Sequence, residues 1–189
     1  PLCRPSLHGV QSSMWQQGFY QAQVSGKFFR PSGAQRPTVH PLKEESVQLA
    51  KSSHHHSKAW GRCADGRLIV AMRSGIHLLD FASGALEFLA CPPGEPLAGT
   101  RFNDGKVAPN GHFVIGTMDE ASRSRPLGHF YDVAPTGQTQ RLQSGLIVAN
   151  GLAWSADGRR MLFADTRRDT IHVADYCPES GVMGTPRVF

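Results

Sequence analysis

Three segments of the chain share one shape: CADGRLIVAM (63–72), APNGHFVIGT (108–117) and SADGRRMLFA (155–164). Each places Asp-Gly or Asn-Gly before a short run rich in β-forming residues. Their turn glycines, Gly66, Gly111 and Gly158, stand 45 and 47 residues apart. A second series interleaves with the first, in LDFASGAL, YDVAPTGQT and ADYCPESGVM, with a weaker copy in FFRPSGAQ (28–35). Its glycines, Gly33, Gly84, Gly137 and Gly181, are spaced by 51, 53 and 44 residues, and the widest interval holds the polar insertion DEASRSRPLG (119–128). Asn-Gly and Asp-Gly supply the positive φ that tight hairpins need. Between the two turns of each repeat lie paired apolar runs of strand length: RLIVAM with IHLLDF, HFVIGT with HFYDV, and RMLFAD with IHVADY.

Hairpins recurring at this period predict a β-propeller, with one four-stranded blade per repeat. A β-sandwich would explain the hairpins but not the matched spacing of two turn series. The expectation is an all-β chain of roughly four blades in a single partial propeller domain. Residues 1–58 read as a divergent first blade and residues 59–189 as well-matched blades. Helical periodicity is nowhere sustained; EESVQLAKSSHHH (44–56) is a weak helix candidate diluted by Ser and His.

Composition narrows the function classes. A net charge of +5 over 189 residues is spread along the chain, with Arg159, Arg160, Arg167 and Arg168 flanking two loops. No basic helix or aromatic-basic stripe marks a nucleic-acid face. No apolar run is long enough for a membrane helix. The four cysteines, Cys3, Cys63, Cys91 and Cys177, lack the paired spacing of a structural zinc site. Nothing marks an exported chain, so a reducing, cytoplasmic setting is expected. His54, His55 and His56 are adjacent in a Ser-rich stretch and do not form a set of spaced ligands. His77, His112, His129 and His172 read as strand residues, and Trp154 and Phe163 as blade core.

The most informative stretch is RFNDGKVAPNGHFVIGTMDE (101–120), which sets Arg, Asn and Asp side by side ahead of a strand and two carboxylates. By residue type, Gly105 and Asn110-Gly111 are hairpin punctuation, and Asp104 braces a loop. Together with VANGLAWSADGRRMLFADTRRDTIHVADY (148–176), this stretch resembles the gluconolactonase / regucalcin (senescence marker protein) family. That resemblance implies a six-bladed propeller that hydrolyses sugar lactones at a divalent metal in its central channel. Calcium is the first expectation for the metal, with zinc, magnesium and manganese also suited to oxygen donors. It further implies that Arg101 and Asn103 bind substrate and that Asn150 ligates the metal. A Glu after the Gly-Thr-Met run should touch substrate as well; that place falls at Asp119, Glu120 or Ala121, and Glu120 is the choice.

Two departures from the family pattern matter. Where the family carries a ligand Glu near its start, QSSMW (11–15) offers Gln11, which keeps an oxygen donor but loses the charge. The family's Asp ligand and general base is expected past Phe189, so no catalytic residue is assigned here. The expectation is therefore a sugar-lactone hydrolase that is weak or inactive as this chain. Its partner is a small-molecule sugar lactone rather than a nucleic acid or membrane, and open blade edges invite self-association. A non-catalytic interaction or sugar-binding module is the alternative.

Overall fold

The computed structural model describes residues 59–95 and 99–189. Gln11, the QSSMW stretch, the FFRPSGAQ turn, the 44–56 helix candidate and His54–His56 lie outside the described residues. Within them the regular elements are twelve strands and one 3-10 turn, Thr166–Arg168. Strands β1 (Ala59–Arg62), β2 (Leu68–Met72), β3 (Gly75–Leu79) and β4 (Leu86–Ala90) form the first sheet. The second holds β5 (Thr100–Val107), β6 (Phe113–Asp119), β7 (Gly128–Val133) and β8 (Thr139–Leu146). The third holds β9 (Ala149–Trp154), β10 (Arg160–Asp165), β11 (Thr170–Asp175) and β12 (Arg187–Val188).

Every sheet is an antiparallel meander in chain order. Their first strands pack side by side, β1 against β5 and β5 against β9. These are propeller blades, with β1, β5 and β9 as the innermost strands. The hairpins anticipated from sequence are the central pairs: β2–β3, β6–β7 and β10–β11.

Because strands alternate in direction, both turn series fall at one end of the blades. The β1–β2, β5–β6 and β9–β10 turns close the same way, with Gly66 N–H donating to Cys63 O at 3.1 Å, Gly111 to Ala108 O at 2.9 Å and Gly158 to Ser155 O at 2.8 Å. Those glycines have φ of +90°, +83° and +70°, a left-handed conformation that closes each turn into its next strand. The β2–β3, β6–β7 and β10–β11 connections lie at the opposite end, hereafter the site end.

The middle blade explains the long apolar run in its sequence. Every residue of β6 is buried because both faces of its sheet are covered. Phe113 and Ile115 join Ile69, Ile76 and Tyr131 on one face, while Val114 joins Phe130, Met161 and Phe163 on the other. That is the period-2 alternation of a strand, with both sides dry. Phe163 and Trp154 do belong to this packing. Gly105, expected as turn punctuation, instead lies inside β5. A Cβ there would stand 2.8 Å from Ile115 Cδ1, 2.9 Å from Phe113 Cζ and 3.0 Å from Val114 O, so glycine is required by close packing rather than by a turn.

At the turn end, His112 Nδ1 bonds Asp132 Oδ2 at 2.6 Å. The other oxygen of Asp132, Asn110 Nδ2 and the Tyr176 hydroxyl are buried without a hydrogen-bond partner among the described residues. Burial raises the Asp132 pKa, and the bond to His112 only partly offsets this. A carboxyl with a raised folded pKa contributes stability below its unfolded value, about 3.9, and loses it as pH rises through the folded pKa. Asp132→Asn keeps an oxygen for His112 and removes that titration. Its stability relative to the parent should therefore rise as pH climbs above about 4. Urea midpoints of both proteins against pH check this; parallel curves would refute it.

Candidate functional site

The site end is organised by β5. Its register with β6 pairs Phe102 with Thr117 and then Gly105 with Ile115, so Asn103 and Asp104 together face a single residue of β6. Such a bulge re-aims side chains. Here both bulged residues bond the neighbouring blade: Asn103 Nδ2 donates to Ala149 O at 3.0 Å, and Asp104 Oδ2 accepts from Leu152 N at 3.3 Å. Asp104 thus braces β5 to β9 rather than its own loop. Asn150, between those two anchor points, donates from Nδ2 to Thr166 Oγ1 at 3.1 Å.

Arg101 is half-buried beside Asn103. Its Nη1 donates to Phe102 O at 2.9 Å and to Asn103 Oδ1 at 3.3 Å. Among the described residues no carboxylate lies within ion-pair distance of it. Burial lowers its pKa; Glu120 opposes that shift, and the like charges of Arg123 and Arg73 add to it. The geometry therefore brings Arg101, Asn103 and Asn150 into one connected arrangement across two innermost strands. Glu120 stands at its edge, where its carboxylate takes Arg73 in a forked pair at 2.6 and 3.0 Å.

Asp119, the other carboxylate that sequence left in play, is fully buried. Its oxygens accept from Arg125 Nη2 at 2.8 Å, Arg125 N at 3.1 Å and Ser124 N at 3.2 Å, and from the Ser122 hydroxyl. The Arg125 and Ser122 hydrogen bonds hold its carboxyl far below the usual range. Asp165 occupies the same position in the next blade, also fully buried. It accepts from Ile147 N and Val148 N, both at 3.0 Å, and from Arg168 Nη1 at 3.1 Å. Asp119 therefore holds the 120–127 connection and Asp165 the entry into β9. Sequence reading missed this pairing, although a signal exists: each Asp falls seven or eight residues after the turn glycine of its repeat.

Glu95 is the third buried carboxylate at the site end among the described residues, 7 % exposed. It accepts from Thr100 Oγ1 at 2.9 Å and from the Tyr131 hydroxyl at 3.1 Å, fixing the residue that precedes Arg101. Burial and the negative charge of Glu95 push the Tyr131 hydroxyl pKa up. Neither Glu95 nor Arg73 had any sequence pattern to mark it.

Asn150 suits a hard divalent cation as one ligand, since its amide oxygen takes no hydrogen bond among the described residues. No three His, Cys, Asp or Glu side chains converge as a metal set among the described residues. Gln11, the other expected ligand, lies outside them. Cys63 and Cys91 are free thiols. No helix among the described residues is long and apolar enough to cross a membrane.

The sequence is 35% identical over 124 residues to L-arabinolactonase of Azospirillum brasilense, covering 65% of this chain and 40% of that protein. It is 36% identical over 113 residues to 6-deoxy-6-sulfogluconolactonase of Pseudomonas putida, covering 60% and 38%. Among solved structures, the calcium-binding protein regucalcin of Agrobacterium tumefaciens superimposes with a TM-score of 0.67 at 28% identity, over 73% of this chain and 46% of that one. The chain thus spans less than half the length of these relatives. Residues 32–189 match the SMP-30/Gluconolactonase/LRE-like region, and the chain belongs to that family.

Proposed function

We propose that the chain supplies the substrate-binding edge and one metal ligand of a divalent-metal-dependent sugar-lactone hydrolase. The observation that carries this reading is the continuous arrangement Arg101–Asn103–Ala149 O next to Asn150, which spans two innermost blade strands. The lactonase relatives support the reaction class.

A lactone is a cyclic ester, so hydrolysis builds negative charge on its carbonyl oxygen as water attacks. A divalent ion, when bound, polarises that carbonyl and acidifies bound water. The Asn150 amide oxygen is a hard donor to such an ion, and calcium suits it best. Arg101 donates to the hydroxyls and ring oxygen of the sugar. Asn103 holds the guanidinium in place and keeps β5 tied to the strand that carries Asn150. Glu120 accepts from sugar hydroxyls at the rim. Turnover by the chain alone is expected to be slow, because no carboxylate set joins Asn150 among the described residues.

The test is calorimetric binding and hydrolysis of glucono-δ-lactone by the purified chain with calcium, magnesium, manganese or zinc. The cation should strengthen lactone binding, and Asn150→Ala should remove that gain, roughly tenfold in affinity. Lactone binding that ignores the cation and survives Asn150→Ala identifies a non-catalytic sugar-binding module instead. Fast metal-dependent turnover would refute the expectation of slow hydrolysis.

A further inference from the structure

The unsatisfied polar atoms of the turn end meet at one point. Asn110 lies in the β5–β6 turn, Asp132 in β7, Tyr176 directly after β11 and Gly181 in the turn that follows. Asp132 is 6 % exposed and Tyr176 3 %. Asn110 Nδ2, Asp132 Oδ1 and the Tyr176 hydroxyl are buried without a hydrogen-bond partner among the described residues. A Cβ added to Gly181 would stand 2.6 Å from Asn110 Nδ2 and 3.5 Å from both Asp132 Oδ1 and the Tyr176 hydroxyl. Two blades supply this cluster: Asn110 and Asp132 come from the second, Tyr176 and Gly181 from the third.

Each residue is held by a contact it makes elsewhere. Asn110 Oδ1 accepts from His112 N at 3.1 Å, so its NH2 group must turn the other way, towards Gly181. Asp132 gives Oδ2 to His112 Nδ1 at 2.6 Å and keeps Oδ1 for the cluster. The Tyr176 ring stands edge-on to Trp154, with centroids 5.7 Å apart. Gly181 N donates to Cys177 O at 2.8 Å, which fixes the backbone beside all three. An amide donor, a carboxylate acceptor and a hydroxyl able to play either part suit a water molecule. Internal waters commonly make about three such bonds, and polar groups left unpaired in the interior are costly. A hard cation is poorly matched, because Asn110 turns N–H towards the point and Asp132 alone supplies a carboxylate oxygen.

We propose that this cluster is a binding site for one internal water, which bridges Asn110, Asp132 and Tyr176 beside Gly181 and joins the second and third blades at the turn end. The water accepts from Asn110 Nδ2 and from the Tyr176 hydroxyl, and donates to Asp132 Oδ1. The two blades are then tied twice: directly between β5 and β9 by Asn103 and Asp104, and through water at the turn end. Glycine is needed at 181 for the room it leaves as well as for its φ of +74°.

The test pairs two glycine substitutions in the full chain. Gly84 has the same φ, +74°, and no atom within 4 Å of its Cβ position, so Gly84→Ala carries the backbone strain without filling any space. Gly181→Ala puts a methyl group where the three polar atoms meet. Oxygen-17 magnetic relaxation dispersion counts long-lived internal waters; Gly181→Ala should lose about one relative to the parent, and Gly84→Ala none. A crystal structure of the parent should show an ordered water within about 3.2 Å of all three atoms, a result that stands even if Gly181→Ala does not fold. Three results overturn the proposal: equal dispersion in the parent and Gly181→Ala; side chains in the crystal that bond one another directly with no water between them; or an anomalous signal at the point after soaking in manganese, which would make it a cation site. The lactonase reading is judged separately, by glucono-δ-lactone and Asn150→Ala.

Discussion

Asp165→Ala is expected to destabilise the chain by about 3–5 kcal/mol, the largest effect of any single polar substitution at the site end. Asp165 is fully buried and accepts two backbone N–H groups, from Ile147 and Val148, as well as Arg168 Nη1. Alanine leaves two amide donors without acceptors where the chain crosses from β8 to β9. Each orphaned buried donor costs about 1–3 kcal/mol, more than the net worth of the bond it replaces. Asparagine is only a partial remedy, because its NH2 meets one amide donor with another. For a chain of this size the loss should lower the thermal midpoint by roughly 10 °C or more. Asp175→Ala, at the exposed last position of β11, serves as the control and should stay within about 0.5 kcal/mol of the parent. Asp165→Ala should also weaken any cation response, since the braced segment Ile147–Val148 leads into the strand that carries Asn150. Thermal and urea unfolding of the variants decide the matter; an Asp165→Ala protein within about 1 kcal/mol of the parent would show that the β8–β9 join is held by something else.

The central hairpins were legible in the sequence because their signals are local. A left-handed glycine closing a turn, followed by an apolar run that fills a two-sided layer, leaves a pattern that repeats with the blade. The innermost strand β5 was not legible as a strand. Its residues TRFNDGKV include Arg, Asn, Asp and Gly, which read as a turn when neighbours are judged along the chain. In the structure those residues face neighbouring blades, and the bulge at Asn103 and Asp104 bonds them to β9, some 46 and 48 residues away. Gly105 was misread for the same reason. A turn glycine and a close-packed strand glycine look alike until Phe113 and Ile115 are placed against it. The candidate site was therefore half legible: resemblance singled out Arg101, Asn103 and Asn150, which the structure brings together, but not the bracing roles of Asp119, Asp165 and Glu95, which depend on loop and backbone donors that only the fold places.

The division between the two ends has a physical cause. Turns of fixed type are determined by their own residues, so the turn end can be read from Asp-Gly and Ser-Gly signals and varies little between repeats. At the site end each connection is different: the short turn at Arg73, the ten-residue stretch 119–128 and the 3-10 turn at Thr166–Arg168. The second and third of those connections are held by buried carboxylates instead of turn chemistry. Asp119 and Asp165 let the loops vary in sequence while their roots stay fixed, which is what a binding rim on a rigid scaffold requires.

Arg101→Ala is expected to weaken lactone binding by about 100-fold without lowering stability. Hydrogen bonds from a charged donor contribute about 1.5–3 kcal/mol, and a half-buried guanidinium with no carboxylate of its own is free to give them to a ligand. Among the described residues Arg101 makes two bonds, to Phe102 O and Asn103 Oδ1, both through Nη1. Against those stands its desolvation, while the attraction of Glu120 is opposed by the like charges of Arg123 and Arg73. Removing the side chain relieves that desolvation cost as it gives up the two bonds, and the unfolding midpoint should hold, the pattern of a residue kept for binding rather than for the fold. Arg101→Lys should behave much like alanine in binding. A single ammonium cannot hold Asn103 Oδ1 and Phe102 O while presenting a second, separately directed donor group to a sugar. Calorimetric titration of the three proteins with glucono-δ-lactone, alongside thermal unfolding, separates the two quantities. Should binding persist in Arg101→Ala while stability falls, the guanidinium is a structural tie between β5 and its bulge, and the lactone must be recognised elsewhere along the innermost strands.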